Sequence, residues 1–234
     1  MQELEAKALF APLAETYDRY ARLLSFGQDP RWRQFLVSRV PARREQTVLD
    51  VATGTGAVAL ELARTSGCSV VGLDQSAEML AEARHRVKAA GFSEQIELVE
   101  GTALALPFAD ASFDHLTVTY LLRYVPDPED AARELTRVVK RDGTLALLEF
   151  AVPRGLVPRA LWELWVRAGL PLTGRLISLG WHDVGRFLGP SIRTFGAQFP
   201  PERLVKIFGD AGLHDVRARP LSLGGGLGLW GTRA

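Results

Sequence analysis

Apolar positions change period near residue 47 of the chain. Upstream, Leu9, Phe10, Leu13, Tyr17, Tyr20 and Leu24 recur at the spacing of one helix face, and Trp32, Phe35, Leu36 and Val40 mark a second short helix that stops at Pro41. Residues 1–40 therefore read as an N-terminal helical cap, helical from about residue 3. Downstream, short apolar and partly β-branched runs at 47–51, 69–73, 96–99, 116–119 and 144–150 alternate with helical patterns. That is the texture of a parallel sheet built from βαβ units.

The intervening helices carry their own punctuation. Ser76 is placed to cap a helix with Met79, Leu80, Ala83 and Val87 on one face, ending near Gly91. Asp127-Pro128-Glu129-Asp130 opens another, with Leu135, Val138 and Val139 inward, that ends at Asp142-Gly143. Between 152 and 190 the alternation breaks: Pro153, Pro158, Pro171 and Pro190 interrupt an apolar stretch bearing Trp162, Trp165 and Trp181, which predicts an irregular helical insertion. A helix over 201–212 and two strand-like runs at 216–219 and 227–230, joined by Gly224-Gly225-Gly226, predict a closing β-hairpin. The whole chain, 1–234, reads as one α/β domain.

Charge and composition narrow the partners. The chain has 28 Lys and Arg against 27 Asp and Glu, a formal charge of +1. No basic excess exists to drive phosphate binding, so nucleic acid is set aside. The single cysteine, Cys68, excludes an intramolecular disulfide and a cysteine-based zinc site, and no metal is expected. Residues 1–7 lack the basic and apolar segments of a secretion signal, an expectation of a cytoplasmic protein. Arg159, Glu163, Arg167 and Arg175 interrupt the most apolar region, leaving no run near the ~18 residues of a membrane span. Peripheral contact with the inner face of a membrane stays open.

The strongest chemical signal is the stretch from Val48 to Ala59, a strand that runs through Ala52-Thr53-Gly54-Thr55-Gly56 into a helix. Alone, Gly54-x-Gly56-x-x-Ala59 also fits the dinucleotide fingerprint, which keeps an NAD(P)-dependent oxidoreductase as a rival. Two acids change the balance. Asp50, four residues before Gly54, would repel a pyrophosphate yet could orient the turn and hold a cationic amino-acid group. Asp74, followed by Gln75, ends the second strand twenty residues after Gly54, the place from which a carboxylate bonds ribose hydroxyls. A ligand with a ribose, a positive charge and no phosphate suits the pair, and S-adenosylmethionine is such a ligand. In the plainer alternative, Asp50 caps the turn and Asp74 the next helix. After the third strand, Thr102 and Ala103 are placed to bond a base edge. Met79 either packs on the adenine or belongs to the helix core.

The glycine-rich turn, the run from Leu106 to Asp114 (Leu-Pro-Phe, four residues, then Phe-Asp), Leu122-Arg123-x-Val125 and Gly143-x-Leu145-x-x-Leu148-Glu149-Phe150 together resemble the class I S-adenosylmethionine-dependent methyltransferases, and more narrowly the ubiquinone/menaquinone biosynthesis C-methyltransferase group. Tyr17-Asp18, Leu24-Ser25-Phe26-Gly27, Trp32, Ser191-Ile192-x-x-Phe195 and Ala211-Gly212-Leu213 extend the resemblance over nearly the whole chain. It implies a Rossmann-like, doubly wound, seven-stranded sheet with a C-terminal antiparallel hairpin and helical additions. It also implies a cofactor site lined by Thr55, Asp74, Thr102, Ala103 and Thr119, and release of S-adenosylhomocysteine as product. Thr102 departs from the usual Asp or Asn at its position. Arg123 matches the arginine of a Leu-Arg-Asn signature, but Tyr124 replaces the Asn, and Gly185 stands where a tyrosine is frequent; both changes touch the acceptor.

Carbon methylation of a hydroquinone requires loss of a phenol proton and then of a ring proton, so a base or a base-held water is expected. A guanidinium stays protonated, which gives Arg123 the task of stabilising a phenolate. His182, between Trp181 and Asp183, is a candidate base. Tyr17 either closes over the pocket or packs on the helix's apolar face. The apolar insertion is a lid or a membrane contact, with Arg159, Arg167 and Arg175 at lipid head groups, or else a homodimer surface or satellite core. The acceptor reads as a small apolar ring, a demethylated quinol, with O- or N-methylation of another metabolite as the alternative.

Overall fold

The computed structural model describes residues 7–234; the expected helical start at 3–6 and the reading of residues 1–6 as lacking a signal lie outside the described residues. Seven strands form one sheet in the order β3-β2-β1-β4-β5-β7-β6. They are β1 Thr47–Val51, β2 Ser69–Asp74, β3 Ile96–Glu100, β4 Phe113–Thr119, β5 Val139–Phe150, β6 Leu213–Leu221 and β7 Gly226–Arg233. Strands β1 to β5 pair in parallel, while β7 runs antiparallel to both β5 and β6. The predicted Rossmann-like sheet and its hairpin are present.

Composition explains the centre. In β1, Val48, Leu49, Asp50 and Val51 are all buried, as expected for a strand covered on both faces. On one face, Val48 and Val70 pack with α2 (Gln28–Val37) and α3 (Ala57–Ser66). On the other, Leu116, Leu145 and Leu147 pack with α5 (Pro128–Arg137) and α9 (Pro201–Asp210). Helix α9 presents Leu204, Ile207 and Phe208 inward at one helical face. Each fully buried leucine or phenylalanine of this kind stabilises by roughly 1.5–3 kcal/mol.

The predicted caps form. The Ser76 hydroxyl accepts from Met79 N at the start of α4 (Ala77–Ala89), and Asp127 accepts from Glu129 N and Asp130 N at the start of α5. Two boundaries differ from expectation. Helix α5 stops at Arg137 rather than at 142–143, and Val139 already pairs with Phe113. The register then shifts, with Asp142 at φ 62° and Gly143 so close to Asp114 that an added Cβ would lie 2.3 Å from its carbonyl oxygen. The Asp-Gly pair therefore marks a bulge inside β5, not a helix end.

The insertion is also more regular than its prolines suggest. It forms α6 (Leu156–Leu164), a π-turn (Trp165–Gly169), α7 (Leu170–Ile177) and the long α8 (Leu179–Gln198), which runs past 190 with Pro190 inside it. Pro171 sits in the first turn of α7, directly after the π-turn. Helices α7 and α8 cross so closely that a Cβ on Gly185 would lie 2.7 Å from the Leu170 backbone and one on Gly174 would lie 2.3 Å from Trp181 O. The glycine at 185 is thus a packing requirement of this insertion.

Upstream, a 3-10 turn (Ala11–Thr16) leads into α1 (Tyr17–Leu24). Leu13 and Leu24 pack with Val166, Leu170, Trp181 and Val184. The cap and the insertion thus share a hydrophobic cluster of their own. Among the described residues no helix is long and apolar enough to cross a membrane.

Candidate active site

Chain order places the site. Strands β1, β2 and β3 step outward in one direction and β4 returns to the other side of β1, so the carboxyl ends of β1 and β4 flank a topological switch point. The residues just beyond them, Ala52 (φ 55°) and Tyr120 (φ 56°), hold left-handed backbone that costs a non-glycine residue about 1 kcal/mol or more. Both line a cavity of about 430 Å³ that reaches from the sheet to the cap and insertion.

At the sheet end, Thr53, Gly54, Thr55, Asp74, Gln75, Met79, Ala103 and Thr119 line this cavity with Ala52. Gly54 N donates to Asp74 Oδ2 at 2.8 Å and Ser76 N donates to Asp74 Oδ1 at 2.9 Å. One carboxylate thus ties the glycine turn to the start of α4. Burial pushes the Asp74 carboxyl up, against those backbone bonds, and the group keeps acceptor capacity toward the cavity. A second carboxylate reaches the turn from the cap. Asp18 accepts from the Thr55 hydroxyl at 2.5 Å and pairs with Arg33 at 2.7 Å and with Arg86. Burial works against its charge, yet Arg33, Arg86 and Thr55 together hold its pKa below the ordinary carboxylate value.

This donor set discriminates between ligands. A dinucleotide would bring its pyrophosphate to N–H groups at the turn, but Asp74 already occupies Gly54 N and Asp18 stands at Thr55. A ligand with ribose hydroxyls and no phosphate fits the same residues: Asp74 offers acceptors, and Met79, Ala103 and Leu73 offer apolar wall. S-adenosylmethionine meets these conditions.

Three expected cofactor residues take other places. Asp50 is fully buried and accepts from Thr53 Oγ1 at 2.6 Å and Thr117 Oγ1 at 2.7 Å; it braces the turn from behind and is absent from the cavity wall, so it does not hold a ligand's amino group. Burial raises its carboxyl to about 6. Gly56 packs against Ala83, where a Cβ would lie 3.3 Å away, and shapes the turn without reaching the cavity. The Thr102 hydroxyl accepts from Leu104 N at 3.2 Å, and the wall here is Ala103.

At the cap end the wall is aromatic. Tyr17 stacks on Trp181 at 6.1 Å, Phe10 meets Tyr17 and Tyr124 edge-on, and Trp162, Trp165, Leu170, Val184 and Ile192 complete the enclosure. Burial pushes the Tyr17 phenol well above its ordinary value and keeps it protonated, and its ring packs between Phe10 and Trp181. Among the described residues three cations line the cavity, Lys7, Arg33 and Arg123, and Arg33 is paired with Asp18 and Asp29. Arg123, buried, donates from Nε to Glu149 Oε1 at 2.7 Å and from Nη1 to Ser191 Oγ at 3.3 Å, with Tyr124 and Phe150 rings against its guanidinium. Burial alone would lower its pKa, but Tyr124 and Glu149 raise it, and it remains a cation.

His182 does not join them. Its Nδ1 lies 2.9 Å from Pro171 O, tying α8 to α7, and the residue does not line the cavity. The expectation of a histidine base is therefore withdrawn. Residues the sequence reading passed over are Asp29, Arg33 and Tyr120: Tyr120 Oη donates to Asp29 Oδ1 at 2.7 Å, and Arg33 pairs with Asp29 at 3.0 Å. The i,i+4 spacing of Asp29 and Arg33 was the available signal.

Comparison with known proteins follows this geometry. A family model described as the ubiE/COQ5 methyltransferase family matches residues 1–231. The chain is 39% identical over 217 residues to a demethylmenaquinone methyltransferase of Thermus thermophilus, covering 92% of this chain and 96% of that one. It is 35% identical over 211 residues to a ubiquinone/menaquinone biosynthesis C-methyltransferase of Geotalea uraniireducens, covering 89% and 88%. Among solved structures, a S-adenosylmethionine-dependent methyltransferase of Thermotoga maritima shares the fold with a TM-score of 0.64 at 20% identity, over 97% of this chain and 99% of that one.

Proposed function

The chain belongs to the ubiE/COQ5 methyltransferase family, and from that premise we propose that it moves a methyl group from S-adenosylmethionine to a ring carbon of a demethylated quinol of the menaquinone or ubiquinone type. The observation that carries this reading is the buried Arg123–Glu149 pair, which fixes a cation among the Tyr124 and Phe150 rings of the wall. A neutral apolar acceptor needs no such cation at rest. An acceptor that becomes an oxyanion during reaction does.

S-adenosylmethionine, when bound, supplies a methyl group activated by its sulfonium. Asp74 holds the ribose, and the turn at 52–55 fixes the orientation of the donor relative to the acceptor. The aromatic and aliphatic side chains of the cap and insertion hold the ring in line with the donor. Loss of a phenol proton to water makes the ring carbon nucleophilic, and Arg123 stabilises the resulting phenolate. With the donor bound, the carbon–carbon bond would form as the sulfur–carbon bond breaks, releasing S-adenosylhomocysteine, and the ring proton would pass to water as aromaticity is restored. Glu149 keeps the guanidinium in place throughout.

Incubating the protein with S-adenosylmethionine and a short-tailed demethylated naphthoquinol should yield a product heavier by one methylene unit, with the added group on the ring. Turnover of another acceptor with no ring-methylated quinol would overturn the assignment.

A further inference from the structure

The insertion hides little of its apolar surface. Helix α6 has no buried residue, although its sequence is Leu-Val-Pro-Arg-Ala-Leu-Trp-Glu-Leu. Leu156 is 89% exposed, Leu176 87% and Leu179 78%, with Val157, Leu164 and Leu172 close behind. Among the described residues, every exposed large apolar side chain except Leu104 lies in the cap, the insertion or the 222–224 turn.

Two of these exposed side chains stand at the cavity mouth. Phe26 and Leu161 are each more than 60% exposed and also line the cavity, which places them on its rim. Phe26 meets Trp165 at 4.5 Å across that rim, and Leu223 flanks it from the β6–β7 turn beside Ser222, another lining residue. Charge is segregated to the same segment. Residues 152–198 contain six arginines (154, 159, 167, 175, 186 and 193) against Glu163 and Asp183, in a chain that is nearly neutral overall. Glu163 is already paired with Arg167 and Arg193, and Arg154 pairs with Glu202. Arg159 and Arg175, both exposed, have no ion-pair partner among the described residues.

We propose that this face docks on an anionic lipid bilayer, with the exposed leucines of α6 and α7 in the head-group boundary, the arginines on lipid phosphates and the cavity mouth opening toward the membrane. Apolar side chains fringed by arginine are the chemistry of an interfacial helix. A second copy of the chain fits less well, because a two-fold interface through this face would set the same arginines against themselves. The inference rests on the quinol reading only in supplying a reason for the mouth to face lipid.

Co-sedimentation with vesicles of phosphatidylcholine, with and without phosphatidylglycerol, tests it. The protein should partition about tenfold more strongly onto the anionic vesicles and lose that preference in high salt. The double variant L156E/L176E, whose side chains lie outside the cavity, should lose at least tenfold in partitioning, keep its Tm and methylate a soluble short-tailed quinol at the parental rate. Equal partitioning of parent and double variant overturns the proposal. So does absence of binding to anionic vesicles, or a parental dimer in solution that L156E/L176E dissociates. Vesicle binding without any quinol methylation would instead leave this surface standing and remove the substrate reading.

Discussion

Where the cavity meets the sheet, its wall consists of backbone N–H groups, hydroxyls and carboxylates that bond one another: Asp74 to Gly54 and Ser76, Asp18 to Thr55, Asp50 behind them on two threonines. Where it meets the cap and insertion, the wall is mostly rings and branched side chains, with Arg123 held by Glu149 and the Asp29–Arg33 pair of α2 among them. The first half recognises by direction, since each polar group has one geometry that satisfies it. The second recognises mainly by shape, with the Arg123 guanidinium as its charge toward the acceptor. Changes in the first half should therefore move cofactor affinity, and changes in the second should move turnover.

Arg123 offers the largest test. Replacing it with Met leaves Glu149 buried without its partner, which should cost about 3–5 kcal/mol of stability in urea unfolding and at least about 100-fold in kcat. The double variant R123M/E149L removes both charges and should recover most of that stability, while turnover stays low. If turnover returns with stability, Arg123 only holds the fold and the comparison collapses at this end of the cavity. Asp74→Ala comes next. Calorimetry should show S-adenosylhomocysteine binding weakened by about 100-fold, close to 2.7 kcal/mol, with kcat at saturation within a few-fold of the parent. Weakening of less than threefold would place the ribose elsewhere.

Asp50 tests whether the polar half is braced from behind. Its folded pKa of about 6 lies above the ordinary carboxylate value of 3.8, so between these pH values the folded state binds more protons than the unfolded one. This group's contribution to stability is therefore fully present at low pH and is lost as pH rises toward 6. Relative to the parent, Asp50→Asn should gain on the order of 2 kcal/mol between pH 4 and pH 7 in denaturant titrations. A constant difference across that range would show that the carboxyl is not raised.

The two halves were also unequally legible. The polar half sits on local motifs: a strand, a glycine turn and an acid at fixed spacing determine most of its geometry, and of its residues only Asp50, Gly56 and Thr102 were assigned to the wall wrongly. All three errors share a cause, because spacing says which residues meet at a turn but not which side of it they face. The apolar half depends on the long-range meeting of residues near 10–33 with residues 161–192. His182 looked chemical beside Asp183, yet α7 lies next to it and supplies the carbonyl its ring bonds. The prolines suggested irregular chain for the same reason: Pro171 falls in a first helical turn, and where a helix begins is set by packing that the sequence does not display. The Asp142-Gly143 pair read as a helix end because a bulge and a C-cap both call for left-handed backbone.

Thr102 gives the finest division between the halves. The resemblance puts it in contact with the adenine, whereas the structure turns its hydroxyl to Leu104 N and leaves Ala103 as the wall. Thr102→Ala should then cost about 0.5–1 kcal/mol in stability, the worth of one turn hydrogen bond, and change S-adenosylhomocysteine affinity by less than twofold. Loss of a base contact would instead weaken binding by about tenfold, since each 1.4 kcal/mol is a factor of ten. The two outcomes are separable by one calorimetric titration. The smaller one means that recognition of the base at this strand end falls to backbone and apolar contact, so the directional half of the cavity narrows to the ribose and the glycine turn.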